Sequence, residues 1–103
     1  MPKKSTRETK QIEKLLQAHF PDHPPEYPPV AYRYNPASVR VRVVSDRFKG
    51  KSRSEREEMV LPLIHQLPEN TQADIMILLL LTPEELDRSL MNMEFENPSP
   101  SVL

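Results

Sequence analysis

The chain has no cysteine, and among its 103 residues there is a single glycine. The first absence excludes disulfides, thiol catalysis and any thiolate-ligated metal or iron–sulfur site built by this chain alone. The second excludes a two-glycine G-x-x-G loop clamping a sugar-phosphate backbone. A strong overall field is missing too: the formal net charge is -1, so nothing global draws in nucleic acid or a membrane surface. No long apolar run exists either. "IMILLLL" at 75–81 falls far short of the roughly 20 residues that span a bilayer. The basic start "MPKKSTRETK" has no apolar stretch of a secretory signal, which makes the cytoplasm the expected address.

Charge is present but unevenly placed. Residues 40–56 carry Arg40, Arg42, Arg47, Lys49, Lys51, Arg53 and Arg56 against Asp46 and Glu55. From Glu57 onward nine acidic residues face one basic residue, Arg88. This distribution predicts one positive edge on an otherwise acidic molecule.

Periodicity sets the expected elements. Ile12, Leu15, Leu16, His19 and Phe20 share one face of a helix, with Ser5 and Glu8 at capping-box spacing. "PDHPPEYPP", with five of the twelve prolines, stops that helix and reads as a stiff extended connector. The expected organisation is a loosely docked helix and connector at 1–29, an α+β domain at 30–94 and a disordered tail at 95–103. Two alternating segments, 30–35 and 38–45, flank Asn35-Pro36-Ala37 as a hairpin, with Val39, Val41 and Val43 inward and Arg40 and Arg42 outward. Gly50 is expected at positive φ, followed by serine caps from Ser52–Glu55 or Ser54–Glu57. Met59, Val60, Leu63, Ile64 and Leu67 supply the next helix's apolar face, with Pro62 predicting a kink. "ADIMILLLLT" lacks polar alternation, which predicts a central strand over 73–81, paired on both edges, with Leu78, Leu79 and Leu80 buried. Thr82-Pro83-Glu84-Glu85 opens a last helix whose inner face is Leu86, Leu90 and Met93. The order is α-β-β-α-β-α, an α+β fold with helices packed on one face of a three-stranded mixed sheet.

The string Val44-Ser45-Asp46-Arg47-Phe48-Lys49-Gly50, then Arg56, then Thr82-Pro83-Glu84-Glu85, resembles the BolA family over roughly half of the chain. Leu86 stands where that family usually has Trp. The resemblance implies a fold related to the class II KH domain. It also implies a monothiol glutaredoxin as a possible protein partner, with a shared [2Fe–2S] cluster, and for some members DNA binding and transcriptional regulation. Two positions depart from the pattern. The histidine expected between two arginines is Glu57, and the His-Ala-Leu expected at the start of the last strand is Asp74-Ile75-Met76. A carboxylate is a hard oxygen donor and a poor substitute for imidazole on a cluster iron.

Each functional signal has a plain structural counterpart. Arg47, Lys49, Lys51 and Arg53 could straddle phosphates around Gly50, with Arg40, Arg42 and Arg56 extending the patch, yet charge runs are mostly solvated turns. Tyr32, Tyr34 and Phe48 are the only aromatic rings nearby for stacking. His19, Asp22 and His23 form a partial metal-ligand set without an obvious further protein ligand, and His65 suits a helix surface. Glu57, Glu58 and Asp74 come without a nucleophile or paired base, and the first two fit a helix's first turns. "PPEYPP" suits a spacer better than a groove ligand. The expectation is a small non-enzymatic module without a cofactor, binding a protein partner through a sheet edge and the positive loop. Nucleic-acid binding through that loop and iron–sulfur trafficking are the alternatives.

Overall fold

A computed structural model describes residues 4–99. Helix α1 (Arg7–His19) leads through the proline connector to strands β1 (Val30–Asn35) and β2 (Ser38–Val44). A 3-10 turn (Asp46–Phe48), helices α2 (Arg53–Ile64) and α3 (Glu69–Asp74) and strand β3 (Ile75–Leu81) follow. A second 3-10 segment (Pro83–Arg88) and helix α4 (Leu90–Glu96) close the chain.

The three-stranded sheet is mixed. β1 and β2 pair antiparallel, β2 and β3 pair parallel, and the spatial order is β1-β2-β3. The central strand is therefore β2, and β3 lies at an edge, correcting the expectation that the apolar run pairs on both sides. Absence of alternation marks burial on two faces, not on two edges. Leu80 is buried, whereas Leu78 and Leu79 are only half-buried.

α1 and α2 pack on one face of the sheet. Ile12, Leu16 and Phe20 meet Val39, Val41, Val43, Val60 and Ile64 in one apolar cluster. α1 is thus part of the core rather than a loosely docked arm, because its Ile12–Leu16 stripe has no other apolar surface to cover it. Its cap is Thr6 with Thr9, not Ser5 with Glu8: the Thr9 hydroxyl accepts from the Thr6 N–H at 2.7 Å. Pro62 sits in the last turn of α2, which stays one helix through Ile64. Ser52 and Glu55 supply its capping box.

The opposite face is covered by the C-terminal segment. The Thr82–Glu85 box forms, but it opens a 3-10 turn, and Ser89 caps a fresh start for α4. That restart rotates the helix face. Asn92 and Phe95 turn inward, while Leu90 (82 % exposed) and Met93, expected on the inner face, point to solvent. Residues 95–96 belong to α4; of the expected disordered tail, 100–103 lie outside the described residues. No helix among the described residues is long and apolar enough to cross a membrane.

Candidate functional site

The stretch from Val44 to Arg56 is held from several sides. The Ser45 hydroxyl donates to Asp22 (2.7 Å) and accepts from the Arg47 N–H (3.1 Å), starting the 3-10 turn. Phe48 then drops fully into the core against the Phe20 ring, centroids 5.6 Å apart. Gly50 takes φ 73°, as expected, in the left-handed region glycine enters without a Cβ penalty.

The basic side chains divide sharply. Arg40 and Arg42, expected on a solvated face, are buried at 9 % and 4 % exposure. Arg42 donates to Asn92 (2.9 Å) and to Glu96 of α4 and lies over the Phe95 ring. Arg40 donates to the Tyr32 hydroxyl (3.2 Å), pairs with Glu94 and stacks 3.6 Å from the Tyr34 centroid. Alternation put both on the face away from α1 and α2, but α4 covers that face. Arg47 donates to Asp22 (2.9 Å) and to the His19 carbonyl. Burial pushes the Asp22 carboxyl up, yet the hydrogen bonds from Ser45 and Arg47 outweigh it and hold it below its ordinary value.

Arg56 is the most engaged. Both amino nitrogens grip Glu85 (2.6 and 2.9 Å), one of them also reaches the Leu80 carbonyl (2.9 Å), and Nε donates to the Lys51 carbonyl (3.0 Å). The Arg56 hydrogen bonds, followed by the Thr82 N–H, bring Glu85 down to about 2. Arg47, Lys49, Lys51 and Arg53 are the exposed cations of the expected patch; Arg47 is held by Asp22, and Arg53 pairs with Glu57 across one helical turn at 3.4 Å. Replacing Lys49 and Lys51 together by Ala should change stability by less than about 0.5 kcal/mol in urea unfolding. A larger loss would show that the two lysines hold the turn.

The other expected sites are dispersed. His19 Nδ1 meets the Leu15 carbonyl (3.0 Å) and His23 Nδ1 the Pro24 carbonyl (2.8 Å), while Asp22 is engaged by Ser45 and Arg47. Among the described residues no group of three or more His, Cys, Asp or Glu is placed to hold a metal ion. Asp74 pairs with Arg33 at 3.0 Å, and Glu58 is exposed.

The sheet's two edges are unequal. On β1 the outward N–H groups are taken: Ala31 donates to the Glu13 carboxylate (3.0 Å) and Arg33 to the Lys4 carbonyl (2.8 Å). On β3 the Leu81 carbonyl turns inward to the Ser45 N–H (2.9 Å), so alternation aims Leu78 and Leu80 outward. Arg56 fills the Leu80 carbonyl; among the described residues the N–H and C=O of Leu78 and the N–H of Leu80 face no neighbouring strand. Along this edge runs a groove of about 1000 Å³ between α2, with Leu61 and His65, and the C-terminal segment, with Arg88 and Met91. Met76, skipped where the β2–β3 register shifts, stands 65 % exposed at its lip.

This groove was not legible in the sequence. A run of seven apolar residues is compatible with a central or an edge strand, and only pairing decides which. No family model matches the chain, and no curated protein or solved structure is significantly similar to it.

Proposed function

We propose that the protein is a non-enzymatic binding module that engages a protein partner along the open edge of β3. The observation that carries this reading is the contrast between the edges. β1 is closed by Glu13 and Lys4, whereas β3 leaves main-chain donors and acceptors beside an apolar groove. Exposed strand edges next to apolar grooves are natural sites for an added strand. The finer assignment, a BolA-like module with a class II KH-like fold, draws support from the roles of its matching residues. Phe48 anchors the turn, Gly50 supplies its positive φ, and Arg56 locks onto Glu85 of the Thr82-Pro83-Glu84-Glu85 segment. A monothiol glutaredoxin is the partner that resemblance suggests. In an iron–sulfur role, Glu57 and Asp74 would bring carboxylates already paired with Arg53 and Arg33.

Nucleic-acid binding is the second reading, favoured by the exposed Lys49, Lys51 and Arg53 around Gly50. Site-specific photo-crosslinking in native cells separates the two. With p-benzoylphenylalanine in place of Met76, a discrete protein adduct is expected, and in place of Lys49 none. Nucleic-acid adducts at 49 with nothing at 76 would overturn the first reading in favour of the second.

A further inference from the structure

The groove along β3 is not uniform from end to end, and its asymmetry bears on what fits it. α2 begins near the Leu81 end of the strand, where Arg56 reaches the Leu80 carbonyl. Lys51 and Arg53 precede it there, and Arg88 follows from the 3-10 segment after β3. Arg56 is neutralised by Glu85, but among the described residues Lys51 and Arg88 have no ion-pair partner and Arg53 has only its exposed contact with Glu57. The Ile75 end is lined by His65 and Gln72. Between the ends the walls are apolar on both sides, with Leu61 on one and Met91 on the other.

A second copy of this chain is a poor occupant. Antiparallel pairing of β3 with itself across a two-fold axis sets each cationic end against the other copy's His65–Gln72 end, where no carboxylate lines the groove and Asp74, next to Ile75, is already paired with Arg33. Resting on the edge-docking reading above, we infer that the occupant is an extended peptide segment with acidic residues immediately before an apolar stretch, added antiparallel to β3. The antiparallel sense is the more stable pairing, and it places the segment's N-terminal carboxylates beside Lys51, Arg53 and Arg88. Its main chain pairs with Leu78 and with the Leu80 N–H, and Arg56 on the Leu80 carbonyl marks where pairing stops. Its side chains enter the groove on both faces, so the stretch is apolar without strict alternation.

The test uses the full-length protein and the fluorescein-labelled peptide Asp-Glu-Val-Ile-Thr-Val-Leu, followed by anisotropy and by ¹⁵N amide shifts. Two exposed ion pairs should make it bind about tenfold more tightly than its Lys-Lys counterpart at low salt, a margin that salt erodes. The amides of Leu78 and Leu80 should shift, N-methylation of alternate peptide nitrogens should abolish binding, and Arg53→Glu with Arg88→Glu should invert the charge preference. Both substituted side chains are exposed, so the variant is expected to fold. Binding at β3 with no charge preference would overturn the acidic-segment inference and leave edge docking standing. Undiminished binding of the N-methylated peptide would overturn strand addition. No shift at Leu78 or Leu80 with any peptide, or shifts there with an oligothymidylate instead, would overturn the inference and the edge-docking reading together.

Discussion

Phe48→Ala should cost about 3–5 kcal/mol of stability, the range for removing a fully buried aromatic ring. The side chain has no exposed surface and packs with Phe20, inside the cluster that joins α1, β2 and α2. A small domain commands only about 5–15 kcal/mol in total, so this one change should consume a large share of it. The damage should also spread along the chain. Phe48 is the only residue of the 46–51 turn that reaches the core, and the Lys51 N–H donates to its carbonyl (3.1 Å). Without the ring, the turn loses its anchor and the start of α2 its fixed position. Urea unfolding gives the energy, and amide exchange at Lys51 and the first turn of α2 gives the local effect. A loss under about 1 kcal/mol would mean that the ring is not the anchor.

The second large effect is expected at Arg56. Arg56→Ala leaves the Glu85 carboxylate without its bidentate partner and the Leu80 carbonyl without its donor. Breaking a fully buried pair costs about 3–5 kcal/mol; with a third of the Glu85 side chain exposed, about 2–3 kcal/mol is expected. Arg53→Ala, at a surface ion pair three residues earlier, should cost less than about 0.5 kcal/mol. The same contact makes the fold sensitive to acid. Glu85 has its folded-state pKa depressed to about 2 from 4.5, so the unfolded chain binds the proton more readily. The stabilisation is fully present above about pH 4.5 and is lost as pH falls toward about 2, for a total of about 1–2 kcal/mol after solvent screening. Glu85→Gln should flatten the stability–pH curve over that window. Asp22, also depressed, acts in the same direction and leaves a smaller residual slope. An unchanged slope in Glu85→Gln would remove Glu85 as its source.

Three features that carry the site were legible because each depends on neighbours in sequence. Gly50 at positive φ, the Ser52–Glu55 box and the Thr82–Glu85 box are short-range arrangements whose partners lie within a few residues. The hairpin was legible for the same reason, Asn35 accepting from the Ala37 N–H (2.9 Å) to close its turn. The fate of the arginines was not. Strand alternation separates Arg40 and Arg42 from Val39, Val41 and Val43, and it did so correctly. What it does not contain is whether a second layer arrives on the other face. Here α4 brings Asn92, Phe95 and Glu96 from some fifty residues away and converts two presumed surface charges into buried, paired ones. The helix register failed for a related reason: Ser89 takes extended backbone (φ -90°, ψ 116°) between the 3-10 segment and α4, and that break exchanges Leu90 and Met93 for Asn92 and Phe95 on the inner face.

By itself, then, the sequence determined most of the elements and their order, the positive-φ turn at Gly50 and the boxes at Ser52 and Thr82, because hydrophobic periodicity and capping act over one or two turns of chain. It missed α3, whose last residues read as strand, and the Thr6–Thr9 cap of α1. Tertiary structure alone decided that β2 is central and β3 an edge, that Glu13 and Lys4 close one side of the sheet, and that Arg56 leaves the other side open up to Leu80. Those outcomes depend on which strands pair and which distant side chains reach a main-chain group. An apolar strand has the same composition whether a second strand or an open groove lies beside it.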